Sequence, residues 1–164
     1  MLKSDYWIEN LGLKQHPEGG YFAETYRSSE LIPASALPSR YSGDRVISTA
    51  IYFMVTSESP SKFHRIKSDE FWLYHEGGKL SIFMLREDGT LEKKIFGLDV
   101  VMGETPQLFI PRDTWFAACV EEGDYVLLSC TVAPGFDFND FELVSRESLL
   151  GKYPQLEETI IKLT

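Results

Sequence analysis

Most of the chain carries the period-two alternation of apolar and polar residues that belongs to β-strands. Runs of this kind lie at 21–27, 46–55, 63–66, 70–74, 80–85, 90–96 and 125–132, separated by turns rich in Gly, Pro and Asp. The run at 46–55 is apolar on both parities apart from Ser48, Thr49 and Tyr52, which predicts a strand packed on both faces. Helical spacing is confined to the two ends. Residues 4–11 predict a helix capped by Ser4, apolar at Tyr6, Trp7, Ile8 and Leu11 and ended by Gly12. Near the other terminus Ser145 caps a short helix through Leu150, and Pro154 opens a second whose Ile160, Ile161 and Leu163 pack back on the strands. The pattern predicts an all-β antiparallel barrel, one domain over 1–164, with short terminal helices.

The connections carry expectations of their own. Residues 28–44, rich in Ser and Pro, form a long loop suited to a lid or an interface arm. With the two-faced burial of 46–55 it predicts a homodimer. Arg86 to Gly89 reads as a hairpin turn, Glu122-Gly123-Asp124 as the turn into the last long strand, and Gly77-Gly78 as another turn.

Composition narrows the function classes. The 164 residues can bury a core without disulfides, and a formal charge of −9 with no basic run excludes nucleic acid and anionic membrane surfaces as natural partners. A small molecule is the expected partner. The apolar run from Ala50 to Val55 is too short to span a bilayer and the N-terminus lacks the apolar stretch of a signal peptide, so a cytoplasmic protein is expected. Cys119 and Cys130 sit singly in apolar runs and read as buried thiols.

The densest chemistry lies between Phe63 and Gly78. It holds His64, adjacent Asp69 and Glu70, and Trp72 and Tyr74. Alternation puts His64 with Ile66 on one face and, after a turn at 67–69, Glu70 with Trp72 and Tyr74. If that face points inward, an imidazole and a carboxyl share an aromatic-lined cavity. His75, on the opposite parity, is expected outside it. Earlier in the chain, His16-Pro17-Glu18-Gly19-Gly20 reads as a tight turn into the first strand.

The spacing from His64 through Ile66 and Glu70 to Gly77 resembles the first motif of the cupin superfamily. The segment from Gly103 through Pro111 and Asp113 to Val120 resembles the second motif. With the His16 to Gly20 pentapeptide and Pro134-Gly135-Phe136-Asp137-Phe138, the chain resembles the cupin family five group, of unknown function, from about residue 5 to 162. The resemblance implies a cupin-type double-stranded β-helix, or jelly-roll, barrel. It also implies a cavity site whose rim includes Glu18. Cupin metal sites combine three His with one Glu; here His64 and Glu70 keep matching positions while Ile66 and Phe116 replace two of the histidines. No cofactor is therefore predicted, with a divalent transition metal on His64 and Glu70 as the alternative.

The candidate catalytic residues are His64, Glu70 and Tyr74, a base, its carboxyl neighbour and an acid. The candidate ligand-binding residues are Glu18, Tyr52, Trp72, Gln107, Phe109 and Phe136. They fit a small-molecule-binding protein whose ligand resembles a sugar or nucleotide sugar. The alternatives are an isomerase or epimerase using a His/Tyr acid-base pair, as similar barrels do, and a metal enzyme with a reduced ligand set. A further alternative is an assembly role with a filled barrel. Asp113, where the second motif has glycine, is expected to adopt positive φ.

Overall fold

The structure is a computed structural model and describes residues 3–164. After helix α1 (Ser4–Leu11) come strands β1 (Lys14–Gln15), β2 (Tyr21–Arg27), β3 (Leu31–Ile32), β4 (Arg45–Val46), β5 (Thr49–Thr56) and β6 (Ser61–Ile66). The chain continues through β7 (Asp69–Leu85), β8 (Leu91–Phe96), β9 (Gln107–Ile110), β10 (Trp115–Ala133) and β11 (Phe141–Leu143), and ends in α2 (Arg146–Lys152) and α3 (Glu157–Lys162). Nine strands form one antiparallel sheet in the order β1-β2-β5-β10-β6-β11, with β7 also paired to β10, β8 and β9; β3 and β4 pair separately. The all-β jelly-roll with short terminal helices is the architecture that alternation and the motifs predict.

The two longest strands do most of the organising. Residues 69–85 and 115–133 pair along nearly their whole length, from Trp115 opposite Leu85 to Ala133 opposite Asp69. The expected turns at Gly77-Gly78 and Glu122-Gly123-Asp124 are not turns. They are facing irregularities inside continuous strands, with register shifts on either side of Glu122. The backbones approach so closely there that a Cβ on Gly78 would collide with the Glu122 carbonyl, and one on Gly77 with that of Tyr125. Glycine serves here to let two strands touch while they bend.

Three apolar layers surround the sheet. Inside the barrel Phe53, Trp72, Leu80, Ile82, Phe96 and Phe116 are buried with their inward neighbours, each stabilising by about 1.5–3 kcal/mol. Outside, α2 and α3 cover β6 and β10 through Leu149, Tyr153, Ile160 and Leu163 on Phe63, Ala117 and Cys119. Ser145 caps α2 by accepting from the Ser148 N–H, as expected, whereas Ile161 is exposed and not part of the packing. On the opposite wall α1 lays Trp7, Ile8 and Leu11 over Met54, Tyr125 and Leu127. Its N-cap is Lys3, without a side-chain cap bond, so Ser4 lies inside the helix and does not cap it; Gly12 ends it at φ 63°.

The two features behind the dimer expectation are accounted for within one chain. The outer face of β5, with Tyr52 and Met54, is covered by α1. The run at 46–55 is divided at 47–48, and the segment 28–44 is not slack: it forms β3 and a 3-10 turn at Ala34–Ala36, pairs with β4, and folds back. Arg40 and Tyr41 donate to the Lys67 carbonyl, and buried Arg45 holds buried Asp140 through two 2.7 Å bonds. That ion pair ties the segment to the 137–141 loop. Asp113 takes φ 60°, the left-handed value expected for it, and its N–H donates to the Ile66 carbonyl.

Candidate functional site

One end of the barrel is open. A cavity of about 350 Å³ enters between the β1–β2 turn and the 136–138 loop, and its walls are β2 and the ends of β5, β6, β7 and β10. Along β5 it is lined by Thr49, Ile51 and Phe53, the parity opposite to Tyr52. The filled-barrel reading loses its basis, since Ile66 and Phe116 do not close this end.

Glu18 stands at the centre of the cavity's polar floor. The turn that delivers it requires its glycines: Gly19 and Gly20 have φ of 105° and 67°, and a Cβ on Gly20 would lie 2.7 Å from the Met54 carbonyl oxygen. The turn is closed by His16 and Gly20 backbone bonds and pinned to β6 by the Lys62 N–H on the Glu18 carbonyl. The Glu18 carboxylate, almost wholly buried, accepts from Ser61 Oγ at 2.8 Å and lies 3.2 Å from both His16 Nδ1 and His64 Nε2. His16 Nδ1 also receives the Glu18 N–H at 3.3 Å.

His64 is fixed on both sides. Its Nδ1 lies 2.7 Å from the Lys62 carbonyl, which only a protonated Nδ1 satisfies, and its ring packs on Phe116 at 4.1 Å between centroids. Its Nε2 therefore faces Glu18 either as a lone pair or with a second proton, and one proton shared between Nε2 and Oε2 completes the contact. Burial lowers the His64 pKa, against the opposing pull of Glu18 and the Lys62 carbonyl. Burial alone would raise that of Glu18, but the imidazoles and the Ser61 hydroxyl outweigh it and hold the carboxyl below its usual range.

Glu70 behaves in the opposite way. Burial and the nearby charge of Glu18 push its pKa up to about 8, despite bonds from the Trp72 indole at 3.0 Å and from the Cys130 thiol. At neutral pH one cavity thus presents an ionised carboxylate and a protonated carboxyl.

Among the sequence-predicted residues, the structure brings Glu18, His64, Glu70, Trp72 and Phe136 into the cavity wall. It places four elsewhere. Tyr74 shares the parity of Glu70, but its hydroxyl donates to the Gly77 and Gly78 carbonyls at 2.7 and 3.0 Å and its ring rests on Phe96. Tyr52 packs on the outer face under α1. Gln107 and Phe109 have the outward parity of β9 and are exposed, Phe109 against Phe71, while Leu108 and Ile110 face the core. His75 is outside, as expected, on Ser129 Oγ at 2.6 Å.

Sequence reasoning missed His16 and Cys130 in the floor, Ser61 buried behind Glu18, and Glu24, Arg27, Asp137 and Phe138 at the mouth. Of these, His16 had a signal, since it begins the pentapeptide that supplies Glu18. At the mouth Arg27 grips Glu24 through Nε and Nη2 at 2.8–3.1 Å and reaches the Phe136 carbonyl at 3.3 Å.

The donor set does not fit a metal ion. Ile66 and Phe116 stand where two imidazoles would be, and the Nε2 of His64 is turned on Glu18. Among the described residues no three His, Cys, Asp or Glu side chains are placed to hold an ion.

Comparison with known proteins agrees with this architecture. The family model described as Cupin superfamily (DUF985) matches residues 5–144. The chain is 33% identical over 153 residues to the uncharacterized protein YML079W of Saccharomyces cerevisiae, covering 87% of this chain and 76% of that one. Among solved structures, protein SO0799 from Shewanella oneidensis superposes with TM-score 0.89 at 38% identity, over 100% of this chain and 98% of that one. A hypothetical protein from Leishmania major does so with TM-score 0.89 at 33% identity, over 99% of each chain. Oxalate decarboxylase of Bacillus subtilis shares the fold at 16% identity and TM-score 0.54, with 92% of this chain covering 37% of that one.

Proposed function

The chain belongs to the Cupin superfamily (DUF985), and from that premise we propose that its barrel cavity binds a small molecule and moves a proton on it, as an isomerase or epimerase does. The observation that carries this reading is the pair of buried carboxyls on one open cavity whose pKa values are driven apart, Glu18 down and Glu70 up to about 8. A carboxylate with two imidazoles beside it is a base, and a neutral carboxyl is an acid. Packing alone gives no reason to bury both in reach of solvent.

The base is the Glu18 and His64 pair, with His16 and Ser61 as positioning residues, and the acid is Glu70. On a ligand with a C–H next to a carbonyl, the base takes the proton and the C–H electron pair becomes a C=C bond. The carbonyl π pair moves to oxygen, which takes the Glu70 proton. Returning a proton to the opposite face of that carbon, while the enol O–H goes back to Glu70, gives an epimer. Where that carbon also carries a hydroxyl, protonating the former carbonyl carbon while the hydroxyl gives its proton to Glu70 gives an isomer. No external reactant is required. Glu70 takes the acid's part that sequence reasoning gave to Tyr74, whose hydroxyl is engaged with two glycine carbonyls.

The test is deuterium uptake from D2O into a panel of aldehydes, ketones and aldoses, followed by proton NMR. The wild-type protein is expected to exchange an α-proton of at least one member, and Glu18→Gln and His64→Ala to do so about 100-fold more slowly or worse. Members that raise the melting temperature and never exchange would make this a binding protein without turnover.

A further inference from the structure

The cavity states what kind of molecule it takes. Its walls are apolar and aromatic: Phe22, Ile51, Phe53, Ile66, Trp72 and Phe138 contribute most of them. Its polar atoms are largely committed to one another. Glu18 is engaged by Ser61, His16 and His64; His64 Nδ1 is held by the Lys62 carbonyl; Thr49 Oγ1 accepts from the Phe136 N–H. Among the described residues no buried side-chain N or O lacks a partner.

Glu70 is the exception in kind. Its side-chain partners are the Trp72 N–H, which cannot accept, and the Cys130 sulfur, which accepts only weakly. A hydrogen on the buried Glu70 carboxyl therefore meets no strong acceptor in these contacts and is available to one in the cavity. About 350 Å³ is at the small end of ligand sites, enough for a ring and its substituents and not for a base, two phosphates and a sugar.

We propose that the ligand is a compact, largely apolar molecule of one ring with a single carbonyl-type acceptor. The acceptor sits on the Glu70 carboxyl and the ring lies against Trp72, Phe53 and Ile66. Sugars and nucleotide sugars are disfavoured. A hexose brings five hydroxyls to a mostly apolar cavity where Glu70, His16 Nε2 and, at the mouth, Arg27 are the polar groups left to meet them, and each hydroxyl left unpaired costs roughly tenfold in affinity. The proposal rests on the reading of the cavity as a ligand site, and takes a different ligand class from the sugar-like one that the sequence suggests.

Calorimetric titration with acetophenone, ethylbenzene, glucose and UDP-glucose tests it. Acetophenone is expected to bind at least tenfold more tightly than ethylbenzene, which keeps the ring and lacks the acceptor, and the two sugars not to bind at millimolar concentration. The groups facing Glu70 are Glu18, His16 and His64 from the β1–β2 turn and β6, and Cys130 from β10; Arg27, Glu24 and Asp137 lie at the mouth. Between pH 7 and 9.5 the wild-type affinity for acetophenone should fall about tenfold as Glu70 loses its proton. Glu70→Gln, whose amide remains a donor, should hold its affinity across that range. Glucose or UDP-glucose binding more tightly than acetophenone, equal affinities for acetophenone and ethylbenzene, or no binding of acetophenone would each overturn the proposal. Deuterium uptake at the acetophenone methyl group, read in the same samples, separates the two claims. Binding as expected without uptake leaves the ligand class standing and removes proton transfer.

Discussion

Two buried ionic clusters stand on either side of the 137–141 loop, and they are built on opposite plans. Arg45 and Asp140 match one charge with one charge, fork to fork at 2.7 Å, with Lys67 at 3.6 Å and the Tyr41 ring beside the guanidinium. Nothing there is short of a proton or a partner. In the cavity two carboxyls and two imidazoles crowd one floor: Glu18 is held between the imidazoles, and Glu70 is left neutral with a hydrogen to give. The first cluster is complete without a ligand; the second, in the function proposed above, is completed by one. Buried charge by itself thus says little about function; what separates the two clusters is whether their protons and partners balance.

The sharpest way to break this comparison is to remove Asp140. Asp140→Ala leaves Arg45 buried and unpaired and should cost about 3–5 kcal/mol in denaturant unfolding, whereas Arg45→Met with Asp140→Leu should recover most of that loss. A single variant costing under about 1 kcal/mol would mean that the pair is not the closed structural clamp described here.

The cavity cluster should instead declare itself through pH. A raised carboxyl pKa means that Glu70 holds its proton in the folded protein after the unfolded chain has released it. Its stabilising contribution is complete below the ordinary value of 4.5 and is lost as pH rises toward about 8. The lowered His64 works the other way, contributing above 6.5 and losing that contribution as pH falls. Between pH 6.5 and 8 the Glu70 slope therefore stands alone among these groups. Wild-type stability should fall across that window by up to about 1.4 kcal/mol per pH unit relative to Glu70→Gln. Parallel curves would contradict the neutral carboxyl.

The smallest effect expected is that of Tyr74→Phe. Losing the hydroxyl clip on the Gly77 and Gly78 carbonyls should cost about 1 kcal/mol of stability and leave cavity binding unchanged. A variant of wild-type stability that has lost binding would return Tyr74 to the site.

How far the sequence could be read follows from the range of the forces involved. Alternation, a local property, gave the barrel, the pairing of His64 with Glu70 and Trp72, and the outward His75. It put Tyr74 on the inward parity, where the ring does pack beside Phe96, but alternation carries no information on how far along the barrel the cavity reaches. Tyr52, Gln107 and Phe109 each lie on the parity opposite to the inward residues of their own strands, so strict alternation places them outside. His16 and Asp137 reach the cavity through loops, and Arg27 from the end of β2, at positions that depend on contacts such as Arg45 with Asp140, 95 residues apart, and no local pattern contains them.

The central claim is that Glu18 and Glu70 carry opposite protonation in the same cavity. Carbon-13 NMR of the glutamate side-chain carboxyl carbons, assigned with Glu18→Gln and Glu70→Gln, measures it directly. Glu70 should titrate near pH 8, and lower in Glu18→Gln, where a neighbouring charge is gone; Glu18 should remain ionised below its ordinary 4.5. Two carboxylates both ionised at pH 6 would contradict the account.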